Sequence, residues 1–140
     1  MNDLQNARTT LEQGGYTCVL CKGEQQKTDA RRGVKPLLEL LASGENYTGF
    51  CAADKVVGKA AAHLYCLLGV KAVYAGVISR RARAVLENAG IAVTFGTEVS
   101  AIRNRAGDGL CPMETAVWDI EDHITAHKAI LSTLQKLQSA

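Results

Sequence analysis

A chain of 140 residues, 47% hydrophobic and 21% charged, is long enough to bury about two-thirds of its unfolded surface and is expected to form one domain over 1–140. A net charge of +2 excludes a general nucleic-acid coat, and no apolar run reaches the length of a bilayer span. Five cysteines, an odd number with no signal-peptide pattern ahead of them, read as reduced thiols in the cytoplasm.

Leu4, Ala7 and Leu11 recur at helical spacing and predict a helix from Asp3 to Gln13, stopped by Gly14-Gly15. Tyr16 to Cys21 is rich in strand formers. Lys22-Gly23-Glu24 is a turn, and Gln25 to Asp29 is a polar return strand suited to a sheet edge. Arg31-Arg32-Gly33 leads into a helix from Val34 to Ala42, with Pro36 in its first turn. A strand from Thr48 to Ala52 then meets Asp54, which reads as the cap of a helix from Lys55 to Leu68. Val70 to Val77 is apolar throughout, as a central strand covered on both faces should be. Ser79 reads as the cap of a helix from Arg80 to Ala89, and Ile91 to Phe95 is the last strand.

Beyond it, a helical turn is expected over Glu98 to Ile102, followed by a polar loop from Asn104 to Leu110. Cys111-Pro112 then opens one long helix reaching Leu137. Val117, Ile120, Ile124, Leu131 and Leu134 give it an apolar stripe that must cover the sheet or a second subunit. Strand–helix alternation from the third strand onward predicts a mixed sheet that is mainly parallel.

The basic residues are the most informative chemistry. Arg31-Arg32, Lys55 with Lys59, and Arg80-Arg81 each sit at a predicted helix start. In a parallel sheet such starts share the edge at the strands' carboxyl ends, where an anion fits. Solvated charge on long side chains is the plainer reading. Asp54 either caps its helix or holds a ligand hydroxyl beside Lys55, and Gly58, inside that helix, marks a close approach by backbone or ligand. Asn104 and Arg105 lie in a loop of the kind that closes over a site. Cys111 stands at a helix start, where a thiol is activated or merely caps. Glu114 would close that same cap.

Metal ligation is not supported. Cys18 and Cys21, three apart on a strand, face opposite ways, and His123 with His127 has no third ligand. No cofactor is expected. Low aromatic content offers no stacking platform for nucleic acid.

The run Ala53-Asp54-Lys55-Val56-Val57-Gly58-Lys59-Ala60-Ala61-Ala62, with Val73-Tyr74-Ala75, Ile102-Arg103-Asn104-Arg105 and Cys111-Pro112-Met113-Glu114, resembles a small, mostly bacterial family, domain of unknown function 1893. That family is placed in the cytidine-deaminase-like superfamily. The resemblance spans nearly the whole chain. It implies a three-layer α-β-α fold with a five-stranded mixed sheet in the order 2-1-3-4-5. The superfamily's zinc motifs, His-x-Glu or Cys-x-Glu and Pro-Cys-x-x-Cys, are not matched at Arg32-Gly33-Val34 or Ala53-Asp54-Lys55. Two functions follow as expectations. One is a pocket for a nucleotide-like or phosphate-bearing small molecule, using Asp54, Lys55, Gly58, Lys59, Ser79, Arg80, Asn104, Arg105, Cys111 and Glu114. The other is a non-catalytic assembly or regulatory module, a homo-oligomer joined through the C-terminal helix.

Overall fold

The computed structural model describes residues 2–139. The first helix, α1 (Asp3–Gly14), starts from Asn2, whose side chain accepts from the Gln5 N–H at 2.8 Å while Gln5 reaches back to the Asn2 N–H. The hairpin of β1 (Cys18–Lys22) and β2 (Gln25–Asp29) follows, then α2 (Lys35–Ala42). Two strand–helix repeats and a last strand come next: β3 (Cys51–Val57), α3 (Lys59–Leu68), β4 (Ala72–Ser79), α4 (Arg80–Asn88) and β5 (Ala92–Val99). Two helices, α5 (Pro112–Val117) and α6 (His123–Ser139), end the chain.

The five strands form one sheet in the order β2-β1-β3-β4-β5. β1 is antiparallel to both its neighbours, and β3, β4 and β5 run parallel. Helix α1 packs on one face through Ala7 and Leu11, against Val19, Cys21, Ala53 and Tyr74. Helices α2 to α6 cover the other face. The expected α/β architecture, mixed five-stranded sheet and long C-terminal helix are all present. Cys18 and Cys21 fall in these two different cores, as strand alternation requires.

Helix α3 is the hub of the thicker layer and touches α2, α4, α5 and α6. A helix surrounded in this way is apolar nearly all round. Ala60, Ala61, Ala62, Leu64, Tyr65 and Leu68 are all buried, the larger of them contributing about 1.5–3 kcal/mol each.

Several boundaries differ from the sequence expectation. β3 does not stop before Asp54 but continues through Val57, because Val56-Val57 are β-branched and keep the extended backbone. Asp54 is therefore a strand residue and not a helix cap. α3 begins at Lys59, four residues later than the expected start at Lys55, and Gly58 is its N-cap rather than an interior residue. β5 extends to Val99, so no helical turn forms at Glu98. Ile102 to Cys111 instead closes a hairpin-like loop, with Arg103 bridged to Leu110 and the Cys111 N–H bonded to Ile102 O at 3.0 Å.

The expected single C-terminal helix is two. α5 ends at Trp118, whose carbonyl accepts from Lys59 Nζ at 3.0 Å and Arg81 Nη1 at 3.2 Å, with the Arg81 guanidinium stacked 3.8 Å over its ring. Asp122 then caps α6 by accepting from the Thr125 N–H at 2.8 Å. His63, fully buried on α3, grips the same junction. Its Nε2 lies 3.1 Å from Ile120 O and its Nδ1 lies 2.8 Å from His123 Nδ1. The predicted apolar stripe also splits. Val117 is buried and Ile120 and Leu134 pack half-buried on the core, whereas Ile124 and Leu131 are 59% and 45% exposed. Ala126 and Ile130, outside that stripe, form the buried face of α6.

One row of the sheet has an unusual geometry. The ladder is interrupted at Lys55, Gly76 and Gly96 on the three parallel strands. A Cβ on Gly76 would lie 2.8 Å from Lys55 O, and one on Gly96 would lie 2.8 Å from Gly76 O. Backbones this close admit only glycine. The kink shifts the facing pattern, so Ala52 and Val57 both point into the α2–α6 layer although they are five apart.

Candidate functional site

An antiparallel β1 beside a parallel β3 makes a switch in strand direction, and a crevice opens there beyond the carboxyl end of β3. Asp54 lies at this point, paired with Cys18 across the β1–β3 ladder. The crevice is a cleft of about 700 Å³. Its walls are the starts of β1, α2 and α3, the strand end Asp54 to Val56, the Ile102–Arg105 segment and the start of α5. This volume suits a small-molecule ligand. A smaller hollow of about 230 Å³ between α1 and the hairpin presents one charged group, Glu24.

Asp54 is half-buried on the cleft floor. Its Oδ2 accepts from the Tyr65 hydroxyl at 2.6 Å and its Oδ1 from the Val56 N–H at 3.2 Å. Burial pushes its carboxyl up to about 6, against the hydrogen bonds from Tyr65 and Val56 that favour the ionised form. Tyr65 is buried completely, and its oxygen also lies 3.3 Å from Cys18 Sγ. Burial raises the Cys18 thiol above its ordinary range, so it stays protonated.

At the other wall stands Glu114, 2% exposed. Its Oε1 accepts a short hydrogen bond from the Lys59 N–H, the first free donor of α3. Glu114 thus caps α3, not its own helix as expected. Gly58 explains how it fits: a Cβ there would overlap Glu114 Oε1 and lie 3.2 Å from Ile102 Cγ1. The close approach expected at Gly58 is made by this carboxylate. Burial raises the Glu114 pKa, opposed by the backbone N–H groups at the start of α3.

Around the mouth lie Arg31, Arg32, Lys55, Arg103 and Arg105, all exposed. Arg31 is engaged by Asp29 at 2.7 Å and Glu39 at 2.5 Å. Among the described residues, the other four make no ion pair within 4.0 Å. The cleft therefore joins a carboxylate floor, an apolar wall that includes Val34, Leu37, Ile102 and Met113, and a cationic rim.

Of the candidate residues, Asp54, Lys55, Gly58, Arg105, Cys111 and Glu114 line this cleft. The rest lie elsewhere. Lys59 is 1% exposed and turned to Trp118 O and Glu121, so it is a bracket between helices and not an anion ligand. Ser79 is buried, capping α4 through the Ala82 N–H at 3.1 Å. Arg80 is exposed one helix beyond the cleft, because α4 lies on the far side of α3 from α2. Asn104 spends its side chain on the loop, accepting from the Gly107 N–H and donating to Asp108. The three basic helix starts therefore do not all converge. Arg31, Arg32 and Lys55 reach the cleft, whereas Lys59 at the start of α3 and Arg80 at the start of α4 do not.

Sequence reasoning left out Arg32 and Arg103 as site residues, although both stand in segments it singled out. It also missed Tyr65, whose only signal is that a buried tyrosine hydroxyl needs a partner. Among the described residues, no group of three or more His, Cys, Asp or Glu is placed to hold a metal ion. No helix among them is long and apolar enough to cross a membrane.

Comparison with known proteins agrees with this architecture. No curated protein matches the sequence. The crystal structure of a DUF1893 family protein from Thermotoga maritima is similar, with a TM-score of 0.87 and 26% identity over 94% of this chain and 89% of that one. The family model for the domain of unknown function DUF1893 matches residues 6–134, and the chain belongs to that family.

Proposed function

We propose that the cleft binds a small anionic or nucleotide-like molecule, with phosphate or carboxylate on the cationic rim and a hydroxyl or N–H donor on Asp54. One observation carries this reading: a half-buried carboxylate closes a cleft of about 700 Å³ whose rim holds four cations without ion pairs among the described residues. A carboxylate with a raised pKa in a cleft is a frequent mark of a functional site. The strand order supports a cytidine-deaminase-like fold. The residues at Arg32-Gly33-Val34 and Ala53-Asp54-Lys55 lack that superfamily's zinc ligands, so binding here uses charge and shape. The setting we propose is cytoplasmic, in keeping with five free cysteines. Assembly through α6 is the second reading, favoured by the exposed Ile124 and Leu131.

A thermal-shift panel of nucleotides, nucleosides, sugar phosphates and inorganic phosphate tests the cleft. At least one phosphate-bearing compound should raise Tm by several degrees, and Asp54→Ala or Lys55→Ala should abolish the shift. No shift, or shifts unchanged in both variants, would sink the reading. Stability against pH gives a ligand-free check. The Asp54 pKa is raised from 3.8 to about 6 on folding. Its contribution to stability is therefore full below about pH 4 and lost as pH rises through 6. Asp54→Asn should make the free protein about 1 kcal/mol more stable at pH 8, and the gap should close on acidification to pH 4. A variant that is more stable yet does not bind would identify Asp54 as kept for function.

A further inference from the structure

The two edges of the sheet are finished differently. β2 is polar, with Lys27 and Asp29 among its exposed or half-exposed residues. Charges of this kind block pairing with another strand. β5, eight residues long, reads Ala92-Val93-Thr94-Phe95-Gly96-Thr97-Glu98-Val99, with no lysine and no proline. Its one charge, Glu98, is held by Arg83 at 3.2 Å. Among the described residues, nothing pairs with its outer side. The Ala92 N–H bonds inward to Lys71 O at 3.1 Å, so strand alternation turns the N–H and C=O of Val93 and Phe95 outward.

We propose that β5 pairs antiparallel with β5 of a second copy of this chain, about a twofold axis through Thr94, joining the two sheets edge to edge. The segment is self-complementary in that register. Val93 meets the second copy's Phe95, Thr94 meets its own counterpart, and Ala92 meets Gly96. Aromatic–β-branched and Thr–Thr pairs are favourable across antiparallel strands. No charge lies opposite a like charge. The register ends at Gly96, where the kink falls, and leaves Glu98 outside the overlap. Thr94 is exposed, and α1 packs on β1, β3 and β4, so the approach is open on that face. An unpaired edge eight residues long without a blocking charge suits a strand, and its self-complementarity selects a second copy.

Sedimentation of the full chain over a range of concentrations tests the pairing. Wild type should dimerise. Thr94→Lys and Thr94→Glu should each weaken the dimer at least about tenfold, because each sets a charge against its own copy. An equimolar mixture of the two variants should restore a dimer through opposite charges. Melting curves check that each variant folds, and Thr94, being exposed, tolerates either charge. A wild type that stays monomeric throughout, or a Thr94→Lys protein that still dimerises, overturns the proposal. So does a dimer that only the double change Ile124→Ser with Leu131→Ser breaks, since that result places the interface on α6.

Discussion

Helices α3 and α4 start side by side at the same sheet edge, and their first N–H groups are satisfied in opposite ways. α4 uses its own Ser79, which accepts from the Ala82 N–H three residues on. α3 begins at Gly58, which has no side chain, and takes its acceptor from Glu114, 55 residues beyond Lys59. The local cap belongs to one helix and leaves nothing for chemistry. The imported cap ties α5 to α3 and forms part of the cleft wall. It also requires that position 58 stay bare.

The largest effect expected from this contrast is at Gly58. Gly58→Ala drives a methyl into a carboxylate that is buried and cannot swing into solvent, and should cost about 2–3 kcal/mol in urea denaturation. A cost no larger than that of Ser79→Ala would break the comparison. Next is Glu114→Ala, which leaves the start of α3 uncapped and should cost about 1–2 kcal/mol. Hydrogen exchange should then speed up in α5 as well as in the first turn of α3. Protection lost in α3 alone would mean that the cap does not hold α5. Ser79→Ala should cost about 1 kcal/mol, with the loss confined to α4.

The smallest effect sharpens the comparison most. Glu114→Gln keeps the acceptor on the Lys59 N–H and should change stability by under about 0.5 kcal/mol at neutral pH. Burial raises the Glu114 pKa, so its contribution is full below the ordinary glutamate range and falls as pH rises through the folded value. The glutamine variant should thus fare relatively better at pH 7 than at pH 4. Melting the two proteins at both values reads the sign.

The same contrast shows what was legible in the sequence. Ser79 was, because an N-cap and the helix it serves are adjacent in the chain. So were the hairpin, the strand–helix repeats and the polar edge strand, all built from local pattern. Asp54 was misplaced by that same logic. A carboxylate ahead of an apolar periodic run looks like a cap, and nothing nearby reveals that its partner is the Tyr65 hydroxyl one helix away. Lys59 looked like a surface cation because its fate depends on Trp118 O, 59 residues on. The break between α5 and α6 has no glycine or proline to mark it. Distant carbonyl contacts and the Asp122 cap make it. Positions decided by long-range partners are the ones the sequence hid.

The His63–His123 contact has a consequence for proton counting. The Ile120 carbonyl can only accept, so His63 carries its hydrogen on Nε2. Its Nδ1 is then a lone pair, and His123 must donate from Nδ1 across the 2.8 Å gap. A neutral His63 is thereby locked in its Nε2–H tautomer. A proton added to His63 Nδ1 would set N–H against N–H and break the contact. Burial first, then the charges of His123 and Lys59, hold His63 below its ordinary pKa, against the pull of the Ile120 carbonyl and Glu121. The contact therefore stabilises the fold above about pH 6.5 and fails as pH drops through the lower folded value. Acid should release the start of α6 from α3 while Asp122, held low by Thr125, still caps it. Imidazole nitrogen shifts should show the Nε2–H tautomer of His63 at neutral pH, a signature lost as pH drops through its lowered value.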